Sequence, residues 1–179
     1  TMGNGIAHTS AIFGYETIIV DLKDEYVNDG LLNIKKNLDK QFKKDLITLS
    51  EMEAAISNIS TSTDYNILCE QDIVIEAAIE NEEIKLSIFE KLDKICKSEA
   101  ILATNTSSIS IDKIASATKR PDKIIGMHFM NPVPIMKLVE VIKSKKTSTE
   151  TFETIMDLSK KLNKIPVFVN DAPGFVANR

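Results

Sequence analysis

Two ionisable side chains between residues 126 and 142 could together move a proton. His128, one of only two histidines, closes one apolar run, and Glu140 interrupts the next run 12 residues later. Because burying an unpaired carboxylate is costly, an imidazole nearby is the obvious partner for Glu140. A histidine held by a carboxylate is a common general base near neutral pH. The residues alone equally allow an edge strand with Glu140 in solvent and His128 as a hydrogen-bonded core residue.

Further polar side chains follow two other apolar runs. Residues 105–108 (Asn-Thr-Ser-Ser) come directly after the run 101–104. Asp21 comes directly after the β-branched run 17–20, which predicts a buried strand. By themselves, the first group is typical of a capped turn and Asp21 of an ordinary acidic strand end.

Three charged residues lie at or after the end of the predicted strand 72–76. Glu80 and Lys85 are five positions apart, a spacing that does not favour an ion pair on one helix, so solvated charge is the plain alternative for both. Glu76 is predicted to cap or to form a local hydrogen bond.

Strands and helices alternate along the chain, which predicts an α/β fold with a mainly parallel sheet covered on both faces. Such sheets bind ligands at the carboxyl ends of their strands, where most of these polar residues lie. The predicted strands cover residues 17–20, 72–76, 101–104, 124–128, 137–142 and 167–169. The predicted helices cover residues 3–13, 24–46, 82–96, 111–117 and 149–162, with one more short helix capped by Ser50 and Glu53. Gly14 is expected to stop the first of these helices.

Composition narrows the class of protein. A chain of 179 residues, 43% hydrophobic and 27% charged, has enough apolar material for one ordinary domain. Its net charge of -4 argues against general nucleic-acid binding. No apolar run reaches the length of a membrane span, and Cys69 and Cys96 form no cluster with metal-ligand spacing. We expect reduced thiols, a cytoplasmic location, and neither a metal nor a membrane partner.

Three segments taken in order resemble one enzyme family. They are residues 105–108, the block from His128 to Glu140, and residues 172–175 (Ala-Pro-Gly-Phe). At this spacing the chain resembles the short-chain L-3-hydroxyacyl-CoA dehydrogenases, and most closely their bacterial 3-hydroxybutyryl-CoA members. The resemblance implies a Rossmann-like, doubly wound sheet that lacks its first strand, and NAD as cofactor.

The same resemblance implies a domain organisation. Residues 1–171 correspond to the NAD-binding domain, and residues 172–179 to a linker into a C-terminal helical domain that is absent from this sequence. In the family that domain builds a homodimer and closes the acyl-CoA cleft. The isolated chain is therefore expected to bind NAD weakly and to turn over poorly.

The family's catalytic roles transfer to four positions. The resemblance implies that His128 is the general acid/base and that Glu140 orients its ring. It also implies that the Ser107 hydroxyl bonds the substrate oxygen, and that Asn131 lies near the nicotinamide and the substrate.

Binding roles transfer in the same way. Gly3 matches the third glycine of the family's phosphate-binding turn, and Asp21 matches the acidic residue that accepts the adenosine ribose hydroxyls. The remaining matches are Glu80, Lys85, Ser107 and Asn131 for the cofactor and Ser107, Lys44 and Asn178 for the acyl-CoA substrate.

The implied function is NAD-dependent interconversion of short-chain L-3-hydroxyacyl-CoA and 3-oxoacyl-CoA. One alternative is a non-catalytic, crystallin-like NAD-binding protein of the same fold. Retention of His128, Glu140, Ser107 and Asn131 argues against it. A β-hydroxyacid dehydrogenase acting on a free acid is the other alternative, and the His–Glu pair disfavours the lysine base typical of that class.

Overall fold

The computed structural model describes residues 2–176, which divide into two compact units. The first unit contains residues up to 65 together with residues 131–135, and the second contains residues 66–130 and those from 136 onward. The predicted NAD-binding domain of residues 1–171 thus includes the whole first unit and most of the second.

The first unit is a short parallel β-ribbon packed against helices. The elements are α1 (Met2–Ile12), β1 (Thr17–Val20), α2 (Asp24–Phe42), α3 (Leu49–Ser57) and β2 (Ile59–Ser62). Strands β1 and β2 pair in parallel, from Thr17 opposite Ile59 to Val20 opposite Ser62. Its buried core consists of Ala7, Ala11, Ile34, Leu38 and Ala55.

Helix boundaries in this unit follow local backbone chemistry. Gly14 has a φ of 84°, and it stops α1 where the glycine predicted a stop. Helix α2 ends at Phe42, not at residue 46, because the chain turns there and Asp45 takes a left-handed φ of 55°. A capping box begins α3, but Thr48 and Glu51 form it, so the prediction of Ser50 and Glu53 was wrong.

The second unit is a five-stranded sheet with helices. It contains β3 (Ile73–Glu76), α4 (Glu82–Ile95), β4 (Ile101–Thr104), α5 (Ile111–Ala115), β5 (Ile124–Phe129), β6 (Leu138–Lys143), α6 (Thr149–Lys161) and β7 (Ile165–Asn170). The strands lie in the order β3-β4-β5-β6-β7, and every neighbouring pair is parallel except β5 and β6. The predicted α/β class with a mainly parallel sheet is confirmed.

Close packing brings β5, β6 and α5 together in the second unit. Gly126 lies opposite Ile142, and a Cβ at Gly126 would approach the Ile142 Cβ to 2.8 Å and the Ile111 Cδ1 to 3.0 Å. A larger residue would therefore force the two antiparallel strands apart. This tight contact lies two positions from His128 on β5 and two positions from Glu140 on β6.

Two predictions about strands differ from the structure. Strand β2 was not predicted, because Ile-Ser-Thr-Ser contains a single apolar residue and no periodic signal. Strand β1 was predicted as buried, yet all four of its residues are half-buried. Among residues 2–176, no helix combines the length and apolarity needed to span a bilayer.

Candidate active site

His128 and Glu140 form a buried pair across the two antiparallel strands of the second unit. They are direct register partners on β5 and β6, which places both side chains on the same face of the sheet. The His128 Nδ1 lies 2.7 Å from the Glu140 Oε2, with the side chains 10% and 2% exposed. The alternative that placed Glu140 in solvent is therefore wrong.

The hydrogen bond with Glu140 leaves one ring nitrogen of His128 for proton exchange. A carboxylate can only accept hydrogen bonds, so Nδ1 carries the shared hydrogen and Nε2 is the ring atom left to exchange a proton. The other carboxylate oxygen of Glu140, Oε1, accepts the Val176 backbone N–H at 3.1 Å. The Phe175 ring, itself 1% exposed, lies 6.1 Å from the imidazole centroid at a tilt of 56°.

Glu80 organises the loop after β4. Its Oε1 accepts hydrogen bonds from the Thr106 hydroxyl (2.6 Å), the Ser107 N–H (2.9 Å) and the Ser108 N–H (3.0 Å). The hydroxyls of Ser107 and Ser108 also point to this oxygen, at 3.2 and 3.0 Å. Partial burial opposes ionisation, but these hydrogen bonds and the Lys85 charge outweigh it and hold the pKa of Glu80 below its usual value.

Lys85 lies inside the protein instead of in solvent. Its side chain is 1% exposed, and Nζ lies 2.7 Å from the Glu76 Oε1 and 3.6 Å from the Glu80 Oε2. Solvated charge is therefore wrong for Lys85. The spacing argument against contact with Glu80 also failed, because Glu80 precedes α4 in a loop and helical periodicity does not govern the pair.

Two further contacts secure the ends of β3, β4 and β5. The Glu76 Oε1 accepts the Ala78 N–H at 2.6 Å, which is the local hydrogen bond that the sequence predicted. The Asn105 Oδ1 accepts the Phe129 N–H at 2.9 Å and thereby ties the Ser107 loop to the residue after His128. The carboxyl ends of three neighbouring parallel strands in this unit thus carry the polar groups, as predicted.

The first unit holds four of the other predicted residues. Gly3 lies in the first turn of α1, and Asp21 is exposed directly after β1, with its Oδ1 accepting the Leu22 N–H at 2.7 Å. Lys44 is exposed in the turn that follows α2, not on the helix itself. Asn131 is exposed and precedes Pro132 through a cis peptide bond. Asn178 lies outside the described residues.

Several residues of the site were not predicted to belong to it: Glu76, Thr104, Thr106, Phe175 and Val176. For Glu76 a signal existed, because a carboxylate that closes a β-branched run poses the same burial problem as Glu140. Val176 contributes through its main chain, so its residue type carries no signal.

The structure also places the two cysteines and the second histidine. Residues 2–176 hold no cluster of three or more His, Cys, Asp or Glu side chains suited to a metal. Cys69 is exposed and Cys96 is buried, and both are free. His8, the other histidine, is 1% exposed on α1, and burial lowers its pKa against the opposing effect of a hydrogen bond with Gln41.

Comparison with known proteins identifies the family of this chain. The family described as 3-hydroxyacyl-CoA dehydrogenase, NAD binding domain, matches residues 1–172. The chain is 48% identical over 179 residues to 3-hydroxybutyryl-CoA dehydrogenase of Clostridioides difficile, covering 100% of this chain and 64% of that protein. It is 43% identical over 184 residues to the human mitochondrial hydroxyacyl-coenzyme A dehydrogenase, covering 99% of this chain and 59% of that protein.

Structural similarity gives the same result. The crystal structure of (S)-3-hydroxybutyryl-CoA dehydrogenase from Ralstonia eutropha matches with a TM-score of 0.98 and 46% sequence identity, over 100% of this chain and 63% of that one. The chain thus spans just under two thirds of the length of these relatives. A buried His–Glu pair on an α/β fold, a family match over nearly the whole chain and relatives above 40% identity lead to one conclusion: this chain belongs to the NAD-binding domain family of the 3-hydroxyacyl-CoA dehydrogenases.

Proposed function

We propose that this chain is the NAD-binding part of an oxidoreductase that interconverts short-chain L-3-hydroxyacyl-CoA and 3-oxoacyl-CoA. The preferred pair is 3-hydroxybutyryl-CoA and acetoacetyl-CoA, by similarity to the relatives that carry those names. The observation that carries the proposal is the buried 2.7 Å contact between His128 and Glu140. A binding protein without catalysis has no need of a buried imidazole held by a carboxylate.

The chemistry of the first unit fits a dinucleotide. Asp21 stands exposed at the carboxyl end of a parallel strand that follows α1, and its carboxylate can accept hydrogen bonds from ribose hydroxyls. Gly3 in the first turn of α1 would lie near the phosphates, where a helix N-terminus favours negative charge. When bound, NAD supplies the hydride acceptor, or the donor in the reverse direction.

The proton moves through this chain's own residues. In the oxidative direction the His128 Nε2 takes the proton of the 3-hydroxyl, and Glu140 stabilises the imidazolium that results. In the reductive direction the imidazolium returns that proton to the ketone oxygen. Ser107 would turn its hydroxyl hydrogen from the Glu80 Oε1 to the same substrate oxygen, while its backbone N–H stays on Glu80. Asn131 would contact the nicotinamide and the substrate.

The remaining assignments concern substrate and assembly. Lys44 and Asn178 would contact acyl-CoA, with Lys44 acting as a point charge toward the coenzyme A phosphates. Glu80 and Lys85 would lie on the nicotinamide side of the cofactor. A homodimer and a cytoplasmic location complete the proposal.

The decisive experiment is acetoacetyl-CoA-dependent NADH oxidation by the full-length protein, alongside NADH binding followed by fluorescence. We expect steady turnover that depends on both substrates. NADH binding without turnover, over a series of acyl chain lengths, would favour the non-catalytic alternative. Turnover of a free 3-hydroxy acid in preference to the CoA thioester would contradict the substrate class.

A further inference from the structure

The second unit buries an ion pair that the proton transfer does not use. The side chains of Lys85 and Glu76 are 1% and 2% exposed, and Nζ lies 2.7 and 3.0 Å from the two carboxylate oxygens. Desolvating two charges is costly unless further hydrogen bonds satisfy them, and breaking such a pair leaves a buried charge uncompensated. We therefore examine which parts of the structure this ion pair positions.

The Lys85 ammonium holds the loop that precedes its own helix. Besides Glu76 at the start of that loop, Nζ lies 3.4 Å from the Ala78 carbonyl oxygen and 3.6 Å from the Glu80 Oε2. An ammonium has three hydrogens, and these three neighbours surround it. One side chain in the first turn of α4 thus contacts the beginning, the middle and the end of the segment 76–80.

Both carboxylates of this segment reach the next loop. The Glu76 Oε2 accepts the Thr104 hydroxyl at 2.7 Å, and the Thr104 Oγ1 accepts the Thr106 N–H at 3.2 Å. The Glu80 Oε1 accepts donors from Thr106 and Ser107. Glu76 and Glu80, both of which contact Lys85, are therefore each connected by hydrogen bonds to the loop after β4.

We propose that Lys85 and Glu76 are positioning residues that act on Ser107 through the orientation of Glu80. Lys85 attracts the Oε2 of Glu80, and this leaves Oε1 facing the Ser107 loop. The importance of Ser107 for turnover rests on the proposed function, but the orientation itself does not. A direct contact of the Lys85 ammonium with the cofactor is the competing explanation, and 1% exposure disfavours it.

The test uses a substitution that removes both buried charges together. Lys85→Met alone would leave Glu76 buried without a counter-charge, so the main variant is Glu76→Gln with Lys85→Met. Glutamine can keep its single oxygen on the Ala78 N–H while its amide NH2 donates to the Thr104 Oγ1, and methionine retains most of the lysine stem. Lys94→Met, at an exposed position of the same helix, is the matched control.

The readout is amide hydrogen exchange of Ser107 and Ser108 in the full-length protein, with and without NADH. We expect these two amides to exchange about 10- to 100-fold faster in the double variant, because their charge-assisted hydrogen bonds to Glu80 weaken. The β4 amides should keep their protection, which shows that the sheet is intact. The amide proton shifts of both serines should also titrate with Glu80, with a midpoint at higher pH once the Lys85 charge is gone.

Two results would overturn the inference. The first is amide exchange and amide-shift titration of Ser107 and Ser108 that are the same in the double variant as in the wild type. The second is weaker NADH binding with unchanged amide exchange, which would make Lys85 a direct ligand of the cofactor. If the double variant does not fold, Glu76→Gln alone decides, since Glu80 still compensates Lys85. Faster exchange at Ser107 and Ser108 supports positioning, and unchanged exchange contradicts it.

Kinetics separates this inference from the function on which it rests. In an active enzyme the double variant should lose kcat, by about 10- to 100-fold for a displaced contact, while KM for acetoacetyl-CoA changes little. Because hydrogen exchange needs no turnover, an inactive wild-type protein would contradict the proposed function and leave the exchange result decisive for the positioning role.

Discussion

Glu140 and Glu80 serve the same unit in two different ways. Glu140 is 2% exposed inside a strand and divides its oxygens between His128 and the Val176 amide. Glu80 is 36% exposed in a loop, and one of its oxygens receives the donors of residues 106–108. Sheet register positions the first carboxylate through the backbone, whereas side-chain and amide hydrogen bonds position the second. Neutral substitutions should therefore impair chemistry at Glu140 and geometry at Glu80.

The largest effect should come from removing the proton-exchanging group itself. In His128→Gln we expect turnover to fall by about 10²- to 10⁴-fold, the usual contribution of a general acid/base, with little change in Tm. Acetoacetyl-CoA-dependent NADH oxidation and thermal denaturation measure the two quantities. His8→Gln is the control, because His8 is the other buried histidine. An equal loss of turnover in that variant would remove the basis for assigning the base to His128.

The next effect tests the strand-held carboxylate. In Glu140→Gln an amide remains on the same strand and keeps one acceptor oxygen, but the negative charge that stabilises imidazolium is gone. We expect kcat to fall by about 10- to 100-fold, the equivalent of one to two pKa units of lost interaction. The Val176 amide should keep its protection from exchange if the remaining oxygen turns toward it. Unchanged kcat would mean that the His128–Glu140 contact serves stability alone.

In Glu80→Gln we expect a smaller loss of kcat, of about tenfold, because an amide is a weaker acceptor for the Ser107 loop than a carboxylate.

The free energy of unfolding should also depend on pH through Glu80. Since the folded pKa of Glu80 is depressed, its carboxylate stabilises the fold above the ordinary pKa of about 4.5 and loses this contribution as pH falls through the folded pKa.

Urea denaturation of the wild type and of Glu80→Gln, from neutral pH to below about pH 4.5, measures the difference in their free energies of unfolding. The difference should be largest near neutral pH and should shrink below about pH 4.5. Partial exposure of Glu80 makes the effect sensitive to added salt. A difference that grows toward acidic pH would contradict the depressed pKa.

The smallest effect distinguishes two neighbouring hydroxyls. Ser107 and Ser108 both direct Oγ to the Glu80 Oε1, at 3.2 and 3.0 Å, so alanine at either position removes a similar contact with Glu80. If Ser107 also bonds the substrate oxygen, Ser107→Ala should lower kcat/KM about 2- to 10-fold more than Ser108→Ala, the value of one neutral hydrogen bond. Equal losses of kcat/KM in the two variants would contradict a hydrogen bond between the Ser107 hydroxyl and the substrate.

The elements of this fold were largely predictable from local pattern. The run Ile101–Thr104 forms β4 with the predicted bounds, and Gly14 stops α1 through its positive φ. The boundaries that differed, at Phe42 and at Thr48, depend on local turn geometry, because Asp45 takes a positive φ after α2 and Thr48 exchanges hydrogen bonds with Glu51. The polar strand β2 gave no signal in the local pattern. Its parallel pairing with β1 stabilises it, and that pairing joins residues about 42 positions apart in sequence.

The amino-acid sequence by itself determined which side chains were available: an imidazole and a carboxylate in apolar runs, and a polar loop after a buried strand. Tertiary structure decided how they pair. The antiparallel register of β5 and β6 placed Glu140 opposite His128, whereas residue types alone allowed a solvent-facing glutamate. Folding also buried Lys85 between Glu76 and Glu80. The physical reason is common to both cases: charge burial depends on neighbours that are distant in sequence or lie across a loop, and no local period records them.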